Sequence, residues 1–502
     1  MNDTPLLVMA PLGVEARALG RGAPGAAVVR TGAGGRRAGA TARRLAPAPA
    51  TAVAIAGVAG GLDRRCLPGD LVVADRILDP SGTCVVDSLA SAGLLAAALR
   101  RAGLRVFVGA VVTADRPVTG SAKRAALATT GARAVDMESA PLAAAGWAGP
   151  VAVVRAIVDT PGRELLAPAT IIGGIRALHA LRQAAPVLAS WAAATGSRRV
   201  LLAAPRSFCA GVERAVRSVE GALERFGRPV YVRRQIVHNR HVVAGLEARG
   251  AVFVDELSQV PDGATVVFSA HGVSPGVRYD ATRRRLAVVD ATCPLVAKVH
   301  SEVRRYRERG YQVVLVGHRG HDEVDGTLGE DPAITLVETA DDVARLRPPD
   351  PAKVAYATQT TLATDETAGV ITALRDRFSA LVGPRTTDIC YATQNRQDAV
   401  RALAGRCDLV LVVGSANSSN TARLAEVAQR GGARAETLDD GSQLDLRWLT
   451  GARTVGITAG ASAPEHLVQS VVTALGGLGP LEVSEDVVTT ETVAFSLPPE
   501  VR

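Results

Sequence analysis

The chain has 502 residues, 47% of them apolar and 3% aromatic, and a formal net charge of +8. That length exceeds one core and calls for two to four domains; the scarcity of aromatics beside scattered arginines argues against a nucleic-acid partner. Six cysteines without a C-x-x-C pair argue against a disulfide framework or a zinc ribbon. No apolar run reaches transmembrane length, and a start that carries Asp3 and no basic stretch reads as cytoplasmic, where thiols stay reduced.

The charge is uneven. Residues 1–195 hold 21 Lys+Arg against 12 Asp+Glu, and the remainder holds 36 against 37, so the basic excess belongs to the first part and is read as a solvated, Arg-rich surface, with an anionic small ligand or a membrane surface as the alternatives. A strand is expected over residues 6–10, then Pro11-Leu12-Gly13-Val14-Glu15 and a helix. Residues 28–35 and 51–61 read as apolar strands ending in glycine-rich turns, which can bring backbone amides to an anion. Further strands at 70–74, 107–112 and 151–157 alternate with helices at 91–102, 121–130 and 140–145, the pattern of an α/β layer. Residues 169–194 form a closing helix or helix pair. The short polar break Thr195-Gly196-Ser197-Arg198-Arg199 marks the domain boundary, giving domains of 1–195 and 200–502.

In the second half a cysteine recurs where a strand is expected to end and a helix to begin: Phe208-Cys209-Ala210-Gly211-Val212, Asp290-Ala291-Thr292-Cys293-Pro294 and Asp388-Ile389-Cys390-Tyr391. Each helix runs to a glycine (Gly227, Gly310, Gly405) and an apolar strand follows. The partial positive charge of a helix N-terminus favours thiolate over thiol. Three lobes, about 200–291, 292–386 and 387–480, each offering one thiolate, suggest a shared site with pseudo-threefold arrangement. Three ligands leave a fourth metal position open, as in catalytic centres.

These segments, with Val237-His238-Asn239-Arg240, Ser269-Ala270-His271-Gly272, Gly317-His318-Arg319-Gly320-His321-Asp322-Glu323-Val324, Thr358-Gln359-Thr360-Thr361, Asn417-Ser418-Ser419-Asn420 and Gly460-Ala461-Ser462-Ala463-Pro464, resemble 4-hydroxy-3-methylbut-2-enyl diphosphate reductases in the same order. The resemblance covers residues 200–502. It implies a 4Fe-4S cluster on Cys209, Cys293 and Cys390, whose fourth iron binds the substrate's allylic hydroxyl and passes electrons to the allyl system. It further implies Glu323 as proton donor, Thr360 as relay or orienting hydroxyl, and His238, His271, His321, Ser418, Ser419, Asn420 and Ser462 as diphosphate donors. Ferredoxin or flavodoxin is the expected electron donor, since no dinucleotide or flavin fingerprint is present. Cys66, Cys84 and Cys407 are read as packing residues. Three positions depart from the family pattern: Ser207 for glycine, Asp322 for proline and Gln394 for threonine. Asp322 is expected to raise the pKa of Glu323.

In the first half, Asp136-Met137-Glu138-Ser139, Arg155-Ala156-Ile157-Val158-Asp159 and Gly57-Val58-Ala59-Gly60-Gly61 resemble the nucleoside phosphorylase and nucleosidase superfamily. The resemblance implies that Glu138, beside Met137, holds ribose hydroxyls, that Asp159 helps protonate a departing purine, and that Glu15 lies near an attacking water. Three expectations stay open for this half: phosphorolysis of a hopanoid-linked nucleoside such as adenosylhopane, hydrolysis of methylthioadenosine or adenosylhomocysteine, or nucleoside binding without catalysis.

Overall fold

The computed structural model describes residues 6–46, 52–161 and 169–502. They form two compact units: one runs to Val200 and takes in Asp440–Arg453 and Gln469–Glu482, and the other holds Leu201–Asp439, Thr454–Val468 and Val483–Arg502. Contact order and chain order therefore differ over two short segments.

Among the described residues the first unit is built on a ten-stranded mixed sheet. At its centre Ala52–Gly61 pairs in parallel with Leu6–Ala10 and with Val151–Asp159. These strands are near-continuous apolar runs because both their faces are covered; Met9, Ile55, Val153 and Ile157 share one core cluster. The 107–112 strand is in fact two, Val106–Val108 and Val111–Thr113, broken at Gly109, whose φ is +159°. The closing segment is a single helix, Ala169–Ala193, with Pro186 inside it. Ala177, Ala180, Leu181, Ala184, Ala185, Leu188, Trp191 and Ala192 are buried, a stripe at helical spacing that explains why one helix forms here. The polar break is shorter than expected. A strand begins at Arg198, whose buried guanidinium donates to the carbonyls of Ala194 at 2.6 Å and Ala452 at 3.1 Å.

The second unit contains three parallel-stranded lobes with one repeated plan. In each, the helix that follows a cysteine leads into a strand flanked in parallel by the next two. Val230–Arg233 lies between Ala251–Val254 and Thr265–Phe268, Gln312–Val316 between Thr335–Val337 and Val354–Thr358, and Leu409–Val413 between Arg434–Leu438 and Thr454–Ala459. Two corrections to the expected lobes follow. The strand Arg198–Ala204, assigned above to the first lobe, joins the third lobe's sheet, so each lobe begins at its cysteine rather than at the strand before it. No strand directly precedes Cys390, because residues 383–390 are irregular.

Candidate active site

Each of the three cysteines is the N-cap residue of a helix: Cys209 of Ala210–Phe226, Cys293 of Pro294–Glu308 and Cys390 of Tyr391–Ala404. An extended cap residue turns its side chain back over the first turn of helical amides. Cys390 Sγ accepts from the Thr393 amide at 3.3 Å and lies 3.0 Å from Thr393 Oγ1. All three sulfur-bearing residues line one cavity of about 680 Å³, part of it open to solvent. Gly211 floors it: a Cβ there would stand 2.7 Å from Cys293 Sγ and 3.8 Å from Cys209 Sγ, so those two sulfurs converge on the space that glycine leaves open.

Burial works against the helix amides at two of these sulfurs. Burial pushes the Cys293 thiol up to about 12 and the Cys390 thiol up to about 11, with the neighbouring Cys209 adding to both. Desolvation outweighs the helix amides at Cys293 and Cys390, and a bound cation would be what holds these sulfurs as thiolates. A trio of soft donors walled by Val237, Leu295 and Val296, with the Gly211 notch between two of them, fits an iron-sulfur cluster.

The other residues expected at the site converge on the same cavity: His238, His271, His321, Glu323, Thr360, Ser418, Ser419, Asn420 and Ser462 all line it. Both oxygens of Glu323 accept from Thr360, Oε1 from its amide at 2.7 Å and Oε2 from its hydroxyl at 3.0 Å. Burial lifts the Glu323 carboxyl to about 7, more than the Thr360 bonds lower it, and Asp388 adds to the rise. The acid that assists is thus Asp388, and the role expected of Asp322 is corrected: its carboxylate is engaged by Arg234. His321 Nδ1 accepts from the Glu323 amide at 3.2 Å, which leaves Nε2 to carry the ring proton. Burial lowers all three imidazoles, His321 to about 4, so they are neutral donors near pH 7.

The hydroxyls are partly spent. Ser462 donates to the His238 carbonyl at 3.0 Å, Ser418 accepts from the Thr421 amide at 3.3 Å, and Ser419 lies 3.3 Å from the Thr361 hydroxyl. Asn420 differs. Its amide is buried, and neither its oxygen nor its nitrogen has a partner among the described residues, a cost of roughly 1–3 kcal/mol that a polar ligand in the cavity would offset.

In the first unit, Glu15, Met137 and Glu138 line a second cavity together with Arg116 and Arg124. Glu15 accepts from the amides of Leu12 at 2.6 Å and Val58 at 2.7 Å, and burial raises its carboxyl. Glu138 accepts from the Gly34 amide at 2.8 Å, so the glycine-rich turn spends that donor on a carboxylate instead of leaving it for an anion. Asp159 is not among the cavity's lining residues; it forms a buried ion pair with Arg124, which is.

Residues 200–476 match the sequence pattern of the LytB protein family. The chain belongs to that family. It is 56% identical over 307 residues to 4-hydroxy-3-methylbut-2-enyl diphosphate reductase of Acidothermus cellulolyticus, spanning 61% of this chain and 90% of that protein. It is 59% identical over 300 residues to the enzyme of that name from Bordetella bronchiseptica, spanning 60% and 92%. The solved structure of E-1-hydroxy-2-methyl-but-2-enyl-4-diphosphate reductase from Plasmodium falciparum aligns with a TM-score of 0.58 at 36% identity, covering 61% of this chain and 97% of that one. Residues 22–184 match the phosphorylase superfamily. This LytB-family chain is an oxidoreductase with a phosphorylase-like α/β unit before it.

Several residues that shape the LytB site carry no local signal in the sequence. Arg396 is fully buried and donates to the Ser207 carbonyl at 2.8 Å, to the Ala392 carbonyl at 3.0 Å and to Glu491 at 2.9 Å. It ties the turn before Cys209 to the helix after Cys390. Ser207 has φ of +60°, the left-handed region that explains a glycine at this position in the family pattern, and its hydroxyl donates to Glu465 at 2.7 Å. Lys298 pairs with the buried Asp388 at 3.1 Å. Of the cysteines read as packing residues, Cys66 is buried, Cys407 is half-buried, and Cys84 is exposed, which corrects that reading for Cys84.

Proposed function

We propose that this chain reduces (E)-4-hydroxy-3-methylbut-2-enyl diphosphate to isopentenyl and dimethylallyl diphosphate. The observation that carries the reading is the Glu323–Thr360 pair in the same cavity as three convergent cysteines. The reaction takes up two electrons and two protons and releases water, so it needs a proton source beside the departing hydroxyl. Glu323, with a carboxyl near neutrality, is protonated in a large fraction of molecules at pH 7 and can give that proton up. Thr360 holds both oxygens of Glu323 and so fixes where that proton sits. The diphosphate lies against His321 Nε2–H, the Asn420 amide and the hydroxyls of Ser418 and Ser419, with His238 and His271 beside them. A 4Fe-4S cluster held by Cys209, Cys293 and Cys390 would keep one iron free of protein ligand and supply a Lewis acid and a one-electron reductant at one place. Ferredoxin or flavodoxin feeds it from outside. Val237, Leu295 and Val296 keep the walls apolar and limit water. Anaerobic reconstitution followed by iron analysis and turnover with a reduced ferredoxin tests this; iron-free protein without turnover overturns it.

We further propose that the first unit cleaves a purine nucleoside, on the observation that Glu15 and Glu138 face one cavity with Met137 between strand and helix. Because the Gly34 amide is given to Glu138, water rather than phosphate is favoured as the nucleophile. Base release from a small nucleoside panel, with and without phosphate, tests it; dependence on phosphate restores the phosphorylase reading.

A further inference from the structure

The cavity of the first unit holds polar groups of both signs. Its carboxylates are fixed by backbone amides, Glu15 by Leu12 and Val58 and Glu138 by Gly34. Of the two arginines that line it, Arg116 is exposed, whereas Arg124, in the middle of the helix Ser121–Ala128, is only 1% exposed. Keeping a guanidinium out of water is costly unless its N–H groups are met. Of the five N–H bonds, one goes from Nη2 to Asp159, and two reach the carbonyls of Gly61 at 3.3 Å and Val118 at 3.4 Å. The carbonyl contacts are long for hydrogen bonds. Nε is buried and has no partner among the described residues. Arg124 therefore keeps donor capacity that the protein does not use.

The space beside this guanidinium is left by a glycine. A Cβ at Gly60, which lines the cavity, would stand 3.2 Å from Arg124 Nη2, 3.1 Å from Asp159 Oδ1 and 3.4 Å from Val135 Cγ1. Val118, Val135 and Val158 line the same cavity and give it apolar walls suited to a flat ring. Asp159 is as deeply buried as Arg124 and ends the strand Val151–Asp159, so its carboxylate holds the guanidinium in one orientation.

We propose that Arg124 reads the base of the nucleoside taken by the first unit, and that this base is a 6-oxopurine, such as hypoxanthine or guanine, rather than adenine. The inference rests on the nucleoside-cleaving reading above and adds to it the residue that selects the base. A guanidinium only donates. Its fork matches the O6 and N7 acceptors of a 6-oxopurine, whereas the 6-amino group of adenine would set donor against donor. In hydrolysis the C1′–N9 bond breaks with its electron pair on the base, water bonds to C1′, and the proton that water loses passes to Glu15. The negative charge that develops on the base spreads to N7 and O6, against Arg124, until the base takes a proton from solvent.

The test uses the full-length protein and matched substrates, inosine against adenosine and 5′-methylthioinosine against 5′-methylthioadenosine. Released base is followed by chromatography, and binding of free hypoxanthine and adenine by calorimetry. The expected result is a kcat/KM at least about 10-fold higher for the 6-oxo member of a pair, and hypoxanthine bound at least about 10-fold more tightly than adenine. Arg124→Lys keeps a cation opposite Asp159 but loses the planar fork, so the preference should shrink to within about 3-fold. Arg124→Met combined with Asp159→Asn, which leaves no charge of the pair unmatched, serves in its place where the lysine variant does not fold. Equal or better handling of the adenine compounds by the parent, or a preference that survives in the variant, overturns the proposal. Selective binding of hypoxanthine with no base released from any nucleoside upholds Arg124 and overturns the cleavage reading. Neither binding nor release overturns both.

Discussion

The guanidinium of Arg396 donates to the carbonyl of Ser207 at 2.8 Å, joining the left-handed turn that positions Cys209 to the helix that Cys390 caps. Arg396→Met strands Glu491 and the Ser207 carbonyl without their charged partner. Losing charge-assisted hydrogen bonds of this kind costs about 1.5–3 kcal/mol, and the turn before Cys209 loses its anchor. The expected outcome is a lowered thermal midpoint together with reduced iron per chain after reconstitution, read by calorimetry and iron analysis.

Gly211→Ala separates cluster binding from folding. Alanine suits a helix better than glycine by about 1 kcal/mol, yet its Cβ would stand 2.7 Å from Cys293 Sγ. Iron loading should fall several-fold while the unfolding midpoint of the cluster-free protein stays level or rises. Equal loading of variant and parent would show that the sulfurs do not need that space.

Glu323 gives a pH signature. With its carboxyl near 7 in the folded chain against about 4.5 unfolded, turnover that needs the protonated acid should decline as pH rises through 7. Glu323→Gln should lower kcat by roughly 10²–10⁴-fold and remove that limb. The same shift acts on stability. A carboxyl raised on folding contributes stabilisation that is complete below about 4.5 and is lost as pH rises through 7, because the buried site must then hold a charge. Denaturant titrations of Glu323→Gln should show a flatter slope between pH 5 and 8 than the parent.

The Arg124–Asp159 pair in the first unit is buried on both sides. Asp159→Asn leaves a guanidinium uncompensated and should destabilise that unit by about 3–5 kcal/mol, whereas Asp159→Asn with Arg124→Met should recover most of it. Glu138→Gln, by contrast, should leave the melting profile near the parent's and abolish base release, followed by chromatography of the freed purine.

Local pattern was enough for most of the helices and strands, and the motifs of the second unit for residues that the structure gathers at one cavity. The cysteine caps at 209, 293 and 390 stand out by their spacing, whereas the histidines at 238, 271 and 321 and the Glu323–Thr360 pair are marked only by the resemblance of their motifs to the reductase family. The central strands are equally plain, because two-sided burial writes itself as unbroken apolar runs over Leu6–Ala10 and Leu409–Val413. What depended on the tertiary structure was every pairing across long stretches of chain. Arg198–Ala204 is apolar enough to join any lobe, and only shared hydrogen bonding puts it in the third. A helix start favours thiolates at Cys293 and Cys390, and the depth of burial that opposes them in the absence of a cation is carried by no local sequence. Asp322 sits next to Glu323 in the chain yet spends its charge on Arg234, 88 positions away, while the carboxylate that acts on Glu323 is Asp388. Electrostatic influence follows distance through the folded interior and not separation along the backbone.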